Sequence, residues 1–279
     1  MMKLQEAWDI YAVDKRLLGY QPGTIKAYRL QLDLLIRYTG DMEFPEVTYQ
    51  GLKQYLASLT HLKPGTVGYR IKFIRSYFRW AHEEGFIPAN PAVKIKEPKM
   101  GLRIPKALPE RDIEMLREAC ETPKEHAIIE FIYTTGCRIG EVVKLNKGDI
   151  NWQNRSCIVM GKGSKEREVY FNIKCGIWLE TYVMNRKDND PALSVTQRAP
   201  HRMSISRMRN IVKDIAKRAG IQVSVSPHKL RHSYATHLLD NGMPLEVIQS
   251  MLGHSKLETT RIYAQLSGQR RREMYQRYF

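Results

Sequence analysis

Half of the eight histidines fall between residues 228 and 254, in SPHKLRHSYATHLLDNG and then LGHSKLETTRIY. Ser226-Pro227 reads as a helix start, because a proline in the first turn gives up no helical hydrogen bond. His228, Arg231 and His232 then stand at i, i+3 and i+4 and share one helix face. A histidine pair at i, i+4 is a zinc-binding spacing, as in HExxH. Here position 229 is Lys rather than Glu, and a neighbouring cation opposes a metal ion. His232 and His237 read better as histidines packed inside a helix bundle. A His and an Arg one turn apart suit a phosphate. The guanidinium is a permanent planar fork matched to phosphate oxygens. His228 and His254 can each donate a hydrogen bond or move a proton near neutral pH.

Other residues fit the same chemistry. Arg138 follows Thr134-Thr135-Gly136-Cys137 at a helix start, where backbone N–H groups also favour anions. Lys162 sits in Gly161-Lys162-Gly163-Ser164-Lys165, a Gly-rich turn that can carry a lysine into a groove. Tyr263 lies nine residues after His254, but with fifteen tyrosines in the chain its position alone means nothing. Cys120, Cys137, Cys157 and Cys175 form no CxxC pair, so they read as free thiols of a reducing cytoplasm.

The elements that must position these residues are mostly helices. Up to about residue 90 the periodicity predicts helices over 3–18, from Thr24 as N-cap, over 48–59 and over 64–84. In the last of these Tyr69, Phe73, Tyr77 and Trp80 line a core stripe, and Lys72, Arg75 and Arg79 fall on another face. Residues 92–106, AVKIKEPKMGLRIPK, hold Lys94, Lys96, Lys99, Arg103 and Lys106 against one acid, with two prolines and a glycine. This composition reads as a basic linker between a domain over 1–91 and a second over 107–279. The second domain reads as helices from Pro109, over 124–135 and over 139–145. One strand over 149–160 and another over 167–171 follow, then helices over 173–186, 203–219, 227–241, 244–252 and 257–266. Arg207, Arg209 and Lys213 lie in the 203–219 segment and are candidates for contact with a polyanion.

The net charge is +16 over 279 residues, with a pI near 9.7. Residues 1–91 carry 12 basic and 9 acidic side chains and residues 92–279 carry 33 and 20, so the excess lies mostly in the second part of the chain. A polyanion partner follows, nucleic acid ahead of a membrane surface, with a merely solubilising surface as the bland alternative. No apolar run reaches 18 residues, and the N-terminal MMKLQEAWDIYAVDKR carries charges where a secretory signal needs apolar residues. A cytoplasmic protein is expected.

The second domain resembles the tyrosine recombinase (phage integrase) family, most closely its Xer-type members. The matching pieces are TTGCRIGEVVKLNKGDI, GKGSKER, HKLRHSYATHLLDNG and LGHSKLETTRIYA. They supply the family's ordered set at Arg138, Lys162, His228, Arg231, His254 and Tyr263. Cys137 departs from the family's usual Leu before the arginine. The resemblance implies a mainly α fold. A helical, SAM-like core-binding domain would precede a mostly helical catalytic domain with a small antiparallel sheet, and the two would clamp duplex DNA.

It also implies cleavage and rejoining of DNA through a 3′-phosphotyrosyl link on Tyr263, with no metal, ATP or other cofactor. Arg138 and Arg231 would stabilise phosphate charge and His228 would assist the phenol. Lys162 would protonate the leaving 5′-oxygen, His254 would bond a phosphate oxygen, and Glu141 would orient Arg138 or His228. The implied partners are double-stranded DNA with a specific core site and further copies of the chain. These would form a tetramer on DNA, in which residues 268–279 pack on a neighbour. The alternatives are a catalytically silent DNA-binding relative and a type IB topoisomerase-like enzyme.

Overall fold

The structure, a computed structural model, describes residues 2–99, 106–161, 165–253 and Gln276. The chain divides into two compact units, residues 1–103 and 104–279.

The first unit is helical: α1 (Trp8–Leu17), α2 (Pro22–Thr39), α3 (Tyr49–Ala57) and α4 (Pro64–Glu83). Proline in the first turn opens both long helices. The second therefore starts at Pro22 with Gln21 as its cap, two residues before the expected Thr24. Thr48 does cap α3, its hydroxyl accepting the Gly51 N–H at 3.1 Å. Phe73, Tyr77 and Trp80 of α4 are buried among Tyr11, Phe44 and Phe78, whereas Tyr69 is 38% exposed at the rim of that stripe. Aromatic bulk gives this small unit its core. Tyr77 and Tyr11 meet edge-on, with ring centroids 4.9 Å apart.

Ala92 and Ile95 are also buried in this core. The segment read as a linker thus begins as packed structure, because those two small apolar residues were hidden among lysines. Lys94, Lys96 and Lys99 between and beyond them are exposed.

The second unit holds α5 (Glu110–Glu118), α6 (Pro123–Thr135), α7 (Ile139–Val142), β1 (Ile150–Asn151), β2 (Ser156–Met160), β3 (Glu166–Tyr170), α8 (Ile173–Met184), α9 (Ile205–Arg218), α10 (Pro227–Asp240) and α11 (Leu245–Leu252). Helix α6 is its axis, packed by α8, α9 and α10. Its Ala127, Ile128, Ile129, Phe131 and Ile132 are all buried, so it is apolar on nearly every side. Its buried Glu130 is neutralised by the Arg117 fork at 2.6 and 2.9 Å.

The sheet is antiparallel in the order β1-β2-β3, with Cys157 opposite Val169 and Val159 opposite Arg167. The single strand expected over 149–160 is broken at 152–155. There the Asn151 side chain accepts the Asn154 N–H at 2.9 Å, and Arg155 takes a positive φ of 49°. That tight Asx turn folds the stretch back on itself. Along α9 the buried Met208, Ile211, Val212 and Ile215 alternate with exposed Arg207, Arg209 and Lys213.

Candidate active site

Helix α6 ends at Gly136, whose φ of +59° ordinary residues avoid. A Cβ there would also lie 2.5 Å from Cδ1 of Tyr234. The glycine lets the chain turn sharply past α10 and deliver Arg138. Cys137 between them is fully buried, and burial pushes its thiol up to about 11. It acts as a small apolar filler where Leu was expected.

Arg138 does not sit at a free helix N-terminus. Helix α7 spans only four residues, and the Glu141 carboxylate already accepts the Arg138 backbone N–H at 2.7 Å. The anion cradle expected from backbone donors is therefore filled by the protein's own carboxylate. What remains for a ligand is the Arg138 side chain, 40% exposed.

Glu141 is 6% exposed and takes four hydrogen bonds. Besides the backbone N–H, the Arg138 guanidinium donates to Oε1 at 3.0 Å. Arg167 donates from both terminal nitrogens, at 3.0 Å to Oε1 and 2.7 Å to Oε2. Burial by itself would raise this carboxyl. The bonds from Arg167 and then Arg138 outweigh it and hold the group below the usual carboxylate range.

The second arginine comes from α10. Ser226 caps that helix through the Lys229 N–H at 3.2 Å. The i, i+3, i+4 face then runs inward, from exposed His228 to Arg231 and His232, which are 2% and 3% exposed. Arg231 donates to the carbonyls of Gly136 at 2.6 Å and Leu252 at 2.7 Å. Arg138 reaches the next carbonyl, Gly253, at 3.4 Å. The two guanidiniums therefore meet at consecutive carbonyls where α11 ends.

Gly253 has a φ of +61°, and a Cβ on it would lie 2.9 Å from the Arg167 Cδ. The tight packing fixes where the chain leaves toward residue 254. His237 lies elsewhere. Its Nε2–H donates to the Leu108 carbonyl at 2.9 Å and its Nδ1 accepts the Tyr133 hydroxyl at 2.7 Å, a packing role.

Four residues of the sequence-derived site and DNA-contact set, Lys162, His254, Tyr263 and Arg103, lie outside the described residues, as do the helix expected over 257–266 and all of the 268–279 tail but Gln276. The described backbone does reach the edge of the Lys162 turn. The Gly161 N–H donates to the Lys165 carbonyl at 2.8 Å, and a Cβ on Gly161 would lie 3.4 Å from Arg167.

Comparison with known proteins fits this arrangement. The Phage integrase family model matches residues 106–270, and the Phage integrase SAM-like domain model matches 4–96. Tyrosine recombinase XerC of Oceanobacillus iheyensis is 33% identical over 271 residues, 91% of this chain and 89% of that protein. The chain belongs to the phage integrase family, the tyrosine recombinases. Its activity is accordingly site-specific recombination, by DNA cleavage and strand transfer.

Tyrosine recombinase XerC of Staphylococcus aureus is 33% identical over 275 residues, 92% and 90% of the two chains. The crystal structure of XerA recombinase superposes with a TM-score of 0.58 at 27% identity, over 99% of this chain and 98% of that one. A lambda integrase dimer bound to a COC′ core site shares the fold, with a TM-score of 0.77 at 17% identity over 92% and 96%. The mainly α fold with a SAM-like first domain and a small sheet is as the resemblance implied. The silent and topoisomerase-like alternatives find no support in these relatives.

Two features of this tyrosine recombinase site go beyond the motif. Arg167 was passed over in the sequence as a strand residue. Its signal was available: it shares the inward face of β3 with buried Val169, and a charged residue on a buried strand face needs a buried partner. His228 is the second. Partial desolvation, then the charges of Arg231 and Arg138, lower its pKa from the ordinary 6.5. The neutral imidazole is thus the resting form at pH 7. The unfolded chain binds this proton more readily, so stability is full above about 6.5 and declines as pH falls from there through the lower value of the folded chain. In the free protein the His228 ring is expected to titrate below 6.5 by NMR, and a midpoint above that value contradicts the reading.

Proposed function

We propose that Arg138, Lys162, His228, Arg231, His254 and Tyr263 carry the strand exchange, on double-stranded DNA with a specific core site. The observation that carries this reading is the convergence of Arg138 and Arg231 on the carbonyls of residues 253 and 252, one residue before His254. Two permanent cations held by the fold can take up the charge that builds on the non-bridging oxygens, with no reorganisation at the moment of reaction.

The Tyr263 oxygen attacks phosphorus, forming a P–O bond while the bond to the 5′-oxygen breaks. The phenol proton passes to neutral His228, and Lys162 gives a proton to the leaving oxygen. His254 donates to a phosphate oxygen, and Glu141 orients Arg138. The reverse step, by the 5′-hydroxyl of another strand, restores a phosphodiester, so no ATP is consumed.

Contacts to the duplex backbone come from Lys72, Arg75 and Arg79 on α4, from Lys94, Lys96, Lys99 and Arg103, and from Arg207, Arg209 and Lys213 on α9. Lys72 and Arg75 share Glu97 at 3.6 and 3.9 Å, both loose and exposed pairs that a phosphate can replace. Affinity then falls steeply with added salt.

The chain acts in the cytoplasm as a tetramer on DNA, with residues 268–279 docking on a neighbouring subunit. None of the helices among the described residues is long and apolar enough to cross a membrane. A chain ending at residue 267 is expected to bind one core site normally and to lose assembly by native gel. Unimpaired recombination by it defeats the docking role.

The test of the whole reading starts from sites selected from random DNA. A nick placed in the selected site traps cleavage, and the readout is a protein–DNA adduct that survives denaturation, in EDTA. An adduct whose linked peptide contains Tyr263 is expected. Tight binding without any adduct overturns the proposal.

A further inference from the structure

Arg167 lies outside the six-residue set, yet its guanidinium ties Glu141 to the end of α11. It is 10% exposed and uses three donor nitrogens. The two terminal nitrogens form a fork on Glu141, and Nε donates to the Met251 carbonyl at 2.9 Å. It sits opposite Val159 in the β2–β3 ladder, so its backbone is fixed by the sheet. Its stem fills the space where a side chain on Gly253 would stand. Glu141 in turn carries the Arg138 guanidinium, and Gly253 supplies the carbonyl that the same guanidinium reaches.

Both protein anchors of Arg138 are therefore set by Arg167. The carboxylate geometry follows from a two-nitrogen fork that only arginine offers, since lysine brings a single point charge. Glu141 has four donors; losing the fork leaves it two, both from Arg138. It would then pull that guanidinium inward, away from a ligand.

We propose that Arg167 is a positioning residue for this reaction, holding Glu141 and the end of α11 so that the Arg138 guanidinium presents outward to the scissile phosphate. The inference rests on the role proposed above for Arg138. It makes a chemical demand that a general loss of structure does not. A misplaced Arg138 matters in proportion to the charge on the non-bridging oxygens. It matters much less for a methylphosphonate, in which a methyl group replaces one of those oxygens and the phosphorus centre is neutral.

The experiment compares adduct formation on a nicked site carrying either the natural phosphate or a methylphosphonate at the scissile position. The proteins are wild type, Arg167→Lys, Arg167→Met and Arg138→Ala. Displacement of a reacting group by about 1 Å costs on the order of 10²-fold in rate. Arg167→Met is therefore expected to slow cleavage of the phosphate about 10²-fold and that of the methylphosphonate by a few-fold, with Arg167→Lys between it and wild type. The ratio of the two rates is taken within one preparation, so partial unfolding of a variant cancels.

Arg138→Ala separates the two ways of failing. If it loses equally on both substrates, the charge-stabilising role of Arg138 is wrong, and the inference falls with it. If Arg138→Ala discriminates between the substrates and the Arg167 variants do not, the positioning role alone is overturned.

Discussion

Tyr263→Phe is expected to form no detectable adduct on a nicked core site, a loss of at least about 10⁴-fold, in the range seen when an enzyme loses its covalent nucleophile. The substitution removes one oxygen and little volume. Affinity for the uncleaved site should stay within a few-fold of wild type, since the phosphate contacts proposed above come from other residues of both domains. A denaturing gel and a binding titration on the same preparation check the two halves. An adduct that persists in the variant places the nucleophile elsewhere in the chain. Loss of binding together with the adduct would mean that Tyr263 serves structure.

Arg231→Ala is expected to fail twice over. Removing a preorganised charge-stabilising group costs about 10³-fold or more in cleavage rate. The same guanidinium is a brace. It is 2% exposed and joins the carbonyls of Gly136, where α6 turns, and Leu252, where α11 ends. Alanine leaves both carbonyls buried without these donors, a destabilisation of about 2–5 kcal/mol. Chemical denaturation measures that loss, and adduct formation at a temperature where the variant remains folded measures the first. Arg231→Lys should recover little of either, because one ammonium cannot span two carbonyls in a fixed fork. A variant as stable as wild type would show that the two bonds are not a brace.

The contrast between Arg138 and Arg231 shows what could be read without coordinates. Residue type and order sufficed to name both arginines as candidates, because the spacing TTGCR and HKLR is local and the chemistry each permits is a property of the side chain. The helix starts at Ser226-Pro227, Thr48 and Pro64 were legible for the same reason, since capping is decided by residues within one turn. The misreadings were local competitions. Pro22 outranked Thr24 as a starter, the Asn151 side chain broke an apparent strand, and Ala92 and Ile95 were masked by the lysines around them. A polar stretch that contributes two core residues has no period for a pattern to detect.

The sequence by itself therefore determined the family, the mainly helical fold and the basic character of the second domain, and it named the residues proposed above to carry the chemistry. Only the tertiary structure decided that Arg231 is buried while the Arg138 side chain is partly exposed. It also decided that the Arg138 backbone N–H is taken by Glu141 rather than left for a ligand, and that Arg167 holds that carboxylate. The physical reason is separation along the chain. Residues 136–141, 167, 231 and 251–253 meet through packing on α6 and pairing in the sheet. The worth of a charged group depends on which partners share its burial, and that is set by contacts spanning more than a hundred residues.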